Sequence, residues 1–444
     1  MSLSDAVDAV LPSVLDDLAS LVAIPSVSAS PAHAGDVRAS AEWIVAQVRA
    51  LGCDDVRVVA EGGQPAVIAR FPGPEGSPTV CLYAHHDVQP TGDLALWTSE
   101  PFRVREAGGR LFGRGVADDK AGVLVHLAAL RAFGGRPPVG VTLFVEGEEE
   151  VGSPSLATIM ERHRELLAAD AYVIADSGNW HVGEPAFTTT LRGLVDCVVE
   201  VSTLDHALHS GQYGGAVPDA LTTLCRLLAT LHDADGNVAI AGLSAMPDPE
   251  LDYPEDRLRA ETGVLDGVRL VGEGPIAGRL WTKPTATVIG IDATSVADAS
   301  NTLAPSARAK VSVRIAPDAD PGQALAALTT HLQQHAPWGA RVRVTDGSKG
   351  SGTTVGFSGP FADAARAAFE QAWGVSPVFM GQGGSIPMVA DFQRAFPDAA
   401  VVVTAVCDPD SRMHGIDESL HLGDFAKACH AEALLLAELG GREG

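Results

Sequence analysis

Acids and histidines follow several strand-like apolar segments of this 444-residue chain. The segments and the side chains after them are residues 79–84 with His85, His86 and Asp87, residues 141–145 with Glu146, Glu148, Glu149 and Glu150, and residues 171–175 with Asp176. Because loops beyond the carboxyl ends of strands converge in open α/β sheets, we expect these side chains to share one cleft. A further acidic pair, Asp118 and Asp119, opens a predicted helix and also fits the ordinary role of helix-capping acids.

Several carboxylates in one cleft require compensating positive charge. Two carboxylates about 4 Å apart repel each other by about 4 kcal/mol at an effective dielectric constant of about 20. A pair of divalent cations would remove this repulsion, and neutral histidines would complete their coordination. A donor set of nitrogen and oxygen without thiolate favours zinc, with cobalt and manganese as alternatives. The sequence therefore predicts two divalent metal ions at this cleft.

The overall charge argues against nucleic acid and membranes as partners. The chain has 31 Lys and Arg against 56 Asp and Glu, a formal net charge of -25, which would repel phosphate backbones and anionic lipid surfaces. No stretch reaches the roughly 20 apolar residues of a membrane-spanning helix. Acids stand near the N-terminus where a signal peptide needs basic residues. Since the six cysteines lack C-x-x-C spacing, we expect reduced thiols and a cytoplasmic protein.

The order of predicted elements indicates an α/β fold interrupted by an insertion. Residues 1–187 alternate β-branched strands with helices over 121–133 and 155–167, which predicts a mostly parallel sheet flanked by helices. Residues 188–350 have the sequence pattern of a smaller α+β domain. The predicted strands are at 194–201, 287–291, 310–315 and 341–345, and the predicted helices are at 218–231 and 321–335. Residues 351–444 again alternate strands and helices, as residues 1–187 do. The predicted helices are at 360–373 and 424–439, and the predicted strands are at 378–380 and 400–406. We therefore expect a discontinuous catalytic domain and an inserted domain.

Eight motifs, in order, resemble those of the co-catalytic zinc amidohydrolases, the family of carnosinase-like dipeptidases, glutamate carboxypeptidase, aminoacylase, acetylornithine deacetylase and succinyl-diaminopimelate desuccinylase. The resemblance covers essentially the whole chain. It rests on residues 84–90 (Ala-His-His-Asp-Val-Gln-Pro), 113–120 (Gly-Arg-Gly-Val-Ala-Asp-Asp-Lys), 146–153 (Glu-Gly-Glu-Glu-Glu-Val-Gly-Ser), Asp176, 208–211 (Leu-His-Ser-Gly) with Gly214 and Gly215, Arg314, 383–387 (Gly-Gly-Ser-Ile-Pro) and 413–415 (Met-His-Gly).

The resemblance implies a role for each residue of the cleft. His85, Asp118 and Asp176 would bind one metal ion. Asp118, Glu150 and His414 would bind the other, so that Asp118 bridges the two. Asp87 would accept a hydrogen bond from His85 and fix its tautomer. Glu149 would be the general base toward a metal-bridging water, and the Asp118–Asp119 peptide bond would be cis.

The resemblance also assigns residues of the insertion, which it makes a lid and dimerisation domain. His209 would reach the site of a neighbouring subunit and polarise the scissile carbonyl, which requires a homodimer. Arg314 and Asn301, with Gly384 and Ser385, would bind the carboxylate of the substrate; a planar guanidinium suits this task.

The favoured function is hydrolysis of dipeptides or short peptides with a free C-terminal carboxylate. An Asp at position 176, where other members have Glu, is the form associated with dipeptidase members. The alternatives are an N-acyl-amino-acid deacylase or carboxypeptidase of the same family, and a catalytically silent metal-binding scaffold. The expected ordinary residues include Glu146 and Glu148 as exposed loop acids and His86 as a side chain directed away from His85.

Overall fold

The computed structural model describes residues 2–384 and 386–441, and of Pro387 the backbone alone. The contacts divide the chain into two units. Unit 1 comprises Met1–Thr189, Val355–Met380 and Asp391–Gly444, and unit 2 comprises Thr190–Thr354 and Gly381–Ala390. The sequence-based boundaries at 187/188 and 350/351 lie within a few residues of these, but residues 381–390, expected in the catalytic domain, group with unit 2. Within the described residues, no helix is both long and apolar enough for a membrane span.

The helices and strands are numbered in chain order. The strands are β1 (Asp55–Val59), β2 (Ala66–Phe71), β3 (Thr79–His85), β4 (Arg105–Ala107), β5 (Arg110–Phe112), β6 (Gly140–Glu146), β7 (Ala171–Ile174), β8 (Ala186–Leu191), β9 (Gly193–Ser202), β10 (Leu208–His209), β11 (Thr285–Asp292), β12 (Thr302–Leu303), β13 (Ser306–Ile315), β14 (Arg341–Gly350), β15 (Thr353–Thr354), β16 (Val378–Gln382), β17 (Ala400–Val403) and β18 (Ser419–His421). The α-helices are α1 (Leu3–Val22), α2 (Ala34–Ala50), α3 (Lys120–Ala132), α4 (Leu156–Arg162), α5 (Arg164–Leu167), α6 (Ser210–Tyr213), α7 (Ala220–Ala229), α8 (Glu255–Thr262), α9 (Ile276–Trp281), α10 (Pro321–Gln334), α11 (Pro360–Trp373), α12 (Pro387–Ala395) and α13 (Leu422–Leu439).

The described part of unit 1 contains a six-stranded sheet in the order β1-β2-β6-β3-β7-β17. Strands β6, β3, β7 and β17 are mutually parallel, whereas β2 pairs antiparallel with both β6 and β1. The central strands are buried along almost their whole length, which explains their continuous apolar sequences. The expected mostly parallel sheet is confirmed, with an antiparallel hairpin at one edge.

Both faces of this sheet are covered. Alternate residues of β3, such as Leu82, join the core under α1, α3, α11 and α13. On the opposite face Tyr83 lies beside Phe144 and Phe392, with ring centroids 5.6 and 6.4 Å away. Successive side chains of the strand point to opposite faces of the sheet, so alternate residues of β3 pack on each face.

Two differences from the sequence-based elements have local causes. The helix predicted over residues 155–167 is two helices, α4 and α5, because His163 leaves the helical conformation and its ring lies 2.8 Å from Glu61. Helix α1 was not predicted, although Ser2 and Asp5 form a reciprocal capping box at its start and its buried residues follow helical spacing.

The described part of unit 2 contains an antiparallel four-stranded sheet in the order β11-β13-β9-β14. Buried and less buried positions alternate along β13, and the buried face packs against α7 and α10. The edge strand β11 is exposed from Thr287 to Asp292. The α+β character expected of the insertion is confirmed.

A buried ion pair joins two helices of unit 1 to the sheet. His126 of α3 donates a hydrogen bond from Nδ1 to Glu432 of α13 at 2.8 Å. The opposite ring nitrogen, Nε2, donates to the carbonyl oxygen of Tyr83 at 2.9 Å. Burial opposes protonation of His126, but attraction to Glu432 outweighs it and raises the pKa of His126 above its usual range. Both ring nitrogens therefore serve as donors, as in an imidazolium ion.

We expect this pair to make stability depend on pH. The pKa of His126 is higher in the folded than in the unfolded protein, so its contribution is complete below about pH 6.5 and is lost as pH rises through the raised value. In metal-free protein at pH 6, Glu432→Gln should lower the free energy of unfolding by about 3–5 kcal/mol, and this difference should shrink at pH 9. Urea unfolding of both proteins measures it. A difference independent of pH would contradict the assignment.

Candidate active site

Three adjacent parallel strands deliver the predicted cleft residues. Strand β3 lies between β6 and β7, with His85 opposite Glu146 and Tyr83 opposite Ile174. The carboxyl ends of these strands therefore meet at one edge of the sheet. Helix α3 begins at the same edge, where Asp119 caps it by accepting a hydrogen bond from the amide of Gly122. The peptide bond between Asp118 and Asp119 is cis.

The structure brings the five predicted metal ligands together in two groups that share one residue. The groups are His85, Asp118 and Asp176, and Asp118, Glu150 and His414, and within each group the donor atoms lie within 4.8 Å of one another.

The two oxygens of Asp118 face different groups. Oδ1 lies 3.1 Å from Nε2 of His85, which is 3.8 Å from Oδ1 of Asp176. Oδ2 lies 3.0 Å from Nε2 of His414, which is 3.3 Å from Oε2 of Glu150. A carboxylate in this position is arranged to bridge two cations. His414 has a φ of 62°, a conformation uncommon for residues other than glycine.

The electrostatics of the cluster favour positive charge. Burial, supported by repulsion from Asp119 and Asp118, raises the pKa of Asp176 well above its usual range despite the opposing effect of nearby His85. Hydrogen bonds to Asp118 and Glu150 raise the pKa of His414 to about 10. Buried acids of this kind keep their charge only beside cations, and the nitrogen and oxygen donors fit a pair of divalent metal ions.

Glu149 lies beside these ligands in the turn after β6. Burial, reinforced by repulsion from Asp176, raises the pKa of Glu149 well above its usual range. Its neighbour Glu150 belongs to the second ligand group, so the two consecutive acids have different surroundings. The role of proton carrier expected of Glu149 stays a prediction.

Asp87 contacts more residues of the site than the sequence predicted. Its Oδ1 lies 3.4 Å from Nδ1 of His85, and its backbone oxygen lies 3.1 Å from the same atom. Its two carboxylate oxygens also accept hydrogen bonds from the amides of Glu149 and Glu150, at 3.2 and 3.1 Å. Asp87 therefore orients a ligand of each group as well as Glu149.

Gln89 is a site residue to which sequence reasoning gave no role. Its side-chain amide donates to Oε2 of Glu150 at 2.8 Å, and its backbone amide donates to Oε1 at 3.1 Å. These bonds orient the Glu150 carboxylate. The signal was its position two residues after Asp87, within the motif that supplies His85.

Two acids expected to be exposed are buried, so that expectation was wrong. Glu146 accepts a hydrogen bond from the hydroxyl of Tyr83 at 2.8 Å, and burial raises the pKa of Glu146 to about 7. Glu148 accepts from the backbone amides of Gln64 and Ser155, at 2.8 and 2.6 Å. Two of these partners, Tyr83 and Gln64, come from distant segments, which local sequence does not reveal.

The remaining predicted site residues belong to unit 2, except one that lies outside the description. His209 ends β10 and is exposed, and its Nδ1 accepts a hydrogen bond from the amide of Gly211 at 3.1 Å. The backbone oxygen of Asn301 accepts from the amide of Ser210 at 2.9 Å. Arg314 is on β13, and Gly384 follows β16 and is exposed. Ser385 lies outside the described residues.

Arg192, which sequence reasoning missed, lies beside the predicted carboxylate-binding residues. Arg192 directly precedes β9 and is two residues before Leu194, which pairs with Arg314 of β13. Its Nε donates to the oxygen of Gly383 at 3.1 Å, and one Nη donates to Thr285 at 3.3 Å. Burial and the charge of Arg314 lower the pKa of Arg192 to about 10.

Comparison with known proteins identifies the family. Residues 81–438 match the sequence profile described as Peptidase family M20/M25/M40. The chain belongs to this family. Membership of the family expected from the motifs is thereby confirmed.

The relatives of this M20 family chain include dipeptidases. This chain is 33% identical over 434 residues to a cysteinylglycine-S-conjugate dipeptidase of Corynebacterium striatum, and the alignment covers 96% of this chain and 95% of the relative. It is 26% identical over 398 residues to a Beta-Ala-His dipeptidase of Rattus norvegicus, covering 84% and 80%. The structure of the di-peptidase Dug1p from Saccharomyces cerevisiae matches with a TM-score of 0.85 at 25% identity, covering 100% of this chain and 98% of Dug1p. The chain is thus a metal-dependent peptidase.

We expect Asp87→Asn to weaken metal binding by about 10–100-fold. An amide offers one acceptor oxygen, and its NH2 group would face an amide donor of Glu149 or Glu150. Zinc competition titrations of the purified variant measure the change. The control is Asp54→Asn, an exposed acid that should leave affinity unchanged. Equal affinity of Asp87→Asn and the unmodified protein would show that Asp87 does not orient the ligands.

Proposed function

We propose that the chain is a di-metal hydrolase of dipeptides or short peptides with a free C-terminal carboxylate. The observation that carries this proposal is the pair of ligand groups sharing Asp118. The dipeptidase names of the relatives from Corynebacterium striatum, Rattus norvegicus and Saccharomyces cerevisiae support the substrate class. The chain covers most of each relative's length, so the comparison concerns the whole enzyme in each case.

The proposed ligands are those of the two groups. His85, Asp118 and Asp176 would hold one ion, and Asp118, Glu150 and His414 the other. Because the donors are imidazole nitrogens and carboxylate oxygens, we take zinc as the ion, with manganese and cobalt as alternatives. When bound, such a pair of ions lowers the pKa of water and polarises a carbonyl oxygen.

Glu149 is the proposed general base. In this scheme its carboxylate takes a proton from the attacking water and returns it to the nitrogen of the leaving amine. Desolvation and repulsion from Asp176 give this half-buried carboxylate a high affinity for a proton. The turn that carries it is held by Asp87, which we propose as its positioning residue.

The proposed carboxylate-binding residues are Arg314, Asn301, Gly384 and Ser385. The location of Arg192 supports this assignment, because its guanidinium is close enough to Arg314 for the charge of Arg314 to lower its pKa. Its hydrogen bond to Gly383 also fixes the start of the glycine segment. Paired guanidinium groups favour an anionic ligand.

A homodimer through unit 2 is part of the proposal, since His209 would act in the site of the neighbouring subunit. Among the described strands of unit 2, β11 pairs on one side only, with β13. Val288, Ile289 and Ile291 on this edge are 41%, 55% and 46% exposed. An exposed apolar edge strand is a surface that a second copy can cover. We also propose a cytoplasmic location, which the free thiols of the six cysteines support.

We expect Glu149→Gln to retain two metal ions while kcat falls at least about 100-fold, because the amide cannot accept the proton. The matched control is Glu150→Gln, a change of the adjacent acid that should remove metal. Elemental analysis and initial rates measure both effects. Loss of metal from Glu149→Gln, or unchanged turnover, would contradict the division of roles.

We expect the zinc-loaded enzyme to prefer free dipeptides over the corresponding N-acetyl amino acids and over dipeptide amides. The amides test the need for a carboxylate, and chelation of the metal should abolish cleavage. The values of kcat/KM for the three sets measure the preference. A preference for the acetylated set would replace the dipeptidase assignment with that of a deacylase.

Mixed dimers test the role of His209. His209→Ala and Glu149→Gln should each be inactive alone, yet a mixture should recover part of the activity, because one hybrid site then contains both intact residues. Assay after subunit exchange, with each variant alone as the control, measures this recovery. If the mixture stays inactive although exchange has occurred, His209 does not act across subunits.

A further inference from the structure

We infer that Glu418 and Arg114 form a positioning pair that sets the metal affinity of the site, an inference that rests on the proposed di-metal function. No metal ligand is itself part of this pair. The Glu418–Arg114 pair joins the segment that carries Asp118 to the segment that carries His414. The pair therefore holds together residues that would bind the second ion.

Glu418 is fully buried, with 0% exposure. Its Oε1 accepts hydrogen bonds from the backbone amides of Ala117 and Asp118, both at 3.0 Å. Its Oε2 accepts from the amide of Gly115 at 3.0 Å and from Nη1 of Arg114 at 2.7 Å. Four donors therefore occupy the acceptor positions of one carboxylate. The amide of Asp118, the shared residue of the two ligand groups, is one of them.

Arg114 extends the connection to two further segments. It is 1% exposed, and its Nη2 donates to the carbonyl oxygens of Gly415 at 3.0 Å and Pro90 at 3.3 Å. Gly415 directly follows His414. Pro90 directly follows Gln89, which holds the carboxylate of Glu150. The pair thus contacts the chain next to His414 and next to Gln89, the residue that orients Glu150.

The backbone of the loop is shaped for this contact. Gly115 has a φ of +77°, and a Cβ there would lie 2.3 Å from a methyl carbon of Val88. The amide of Gly113 also donates to the backbone oxygen of Glu418 at 3.0 Å. The loop before Asp118 therefore wraps around Glu418 at a position where only glycine fits.

Substitution by glutamine separates positioning from packing. Glu418→Gln preserves shape, but its NH2 group must face either the amides of Ala117 and Asp118 or the donors of Gly115 and Arg114. Two of the four donors lose their acceptor in either orientation, so the contact between residue 418 and the loop before Asp118 is weakened. The matched control is Glu432→Gln, which removes another buried acid from an ion pair in unit 1, with His126.

The experiment is a zinc competition titration of both variants together with urea unfolding of the metal-free proteins. We expect both variants to lose stability, but only Glu418→Gln to bind zinc about 10–100-fold more weakly. The cobalt-substituted Glu418→Gln protein should also show an altered ligand-field spectrum. Should Glu418→Gln not fold, Arg114→Lys carries the test, because a single ammonium group cannot replace the fork that reaches Glu418, Gly415 and Pro90.

The outcomes separate this inference from the proposed function. Unchanged zinc affinity and cobalt spectrum in a folded Glu418→Gln, with stability lost as in Glu432→Gln, would make the pair purely structural and overturn the inference alone. Failure of the unmodified protein to bind two metal ions would overturn the proposed function and the inference with it.

Discussion

Mutual repulsion among buried and half-buried carboxylates is the constraint on which the candidate site of unit 1 depends. Asp118, Asp119, Glu149, Glu150 and Asp176 gather where three parallel strands end, with only His85 and His414 as neighbouring sources of positive charge in the two ligand groups. Transfer of any one of these ionised side chains from water into the site, without a partner, would cost free energy. Their convergence is physically reasonable when cations occupy the site, because the ions convert the repulsion into attraction. The shared position of Asp118 then follows, since one carboxylate must neutralise charge in both groups.

The scaffold supports this arrangement from segments far apart in the chain. Strands β3, β6 and β7 bring three acidic or histidine-bearing turns to one edge, while His414 arrives from the last part of the sequence. Asp87 and Gln89 orient the ligands by hydrogen bonds to the turn that carries Glu150. These contacts limit the freedom of the ligands before any ion binds, which is how surrounding residues usually strengthen a metal site. The fold therefore supplies orientation, and the acids supply charge.

Sequence reasoning succeeded where the signal was local. Helix α11 has the expected bounds, because Pro360 at its start and Gly374 just after its end are local signals. The family resemblance also predicted which acids and histidines meet. Sequence reasoning did not predict the burial of Glu146 and Glu148, since Tyr83 and Gln64 reach them from distant segments. The grouping of residues 381–390 with unit 2 and the position of Arg192 likewise depend on tertiary packing rather than on adjacent residues.

Anomalous diffraction at the zinc edge from crystals of the fully loaded enzyme tests the central assignment most directly. We expect two peaks per chain about 3.5–4 Å apart, with Asp118 between them. One should be ligated by His85 and Asp176, and the other by Glu150 and His414. A single peak, or peaks away from Asp118, would contradict a di-metal centre built by these acids.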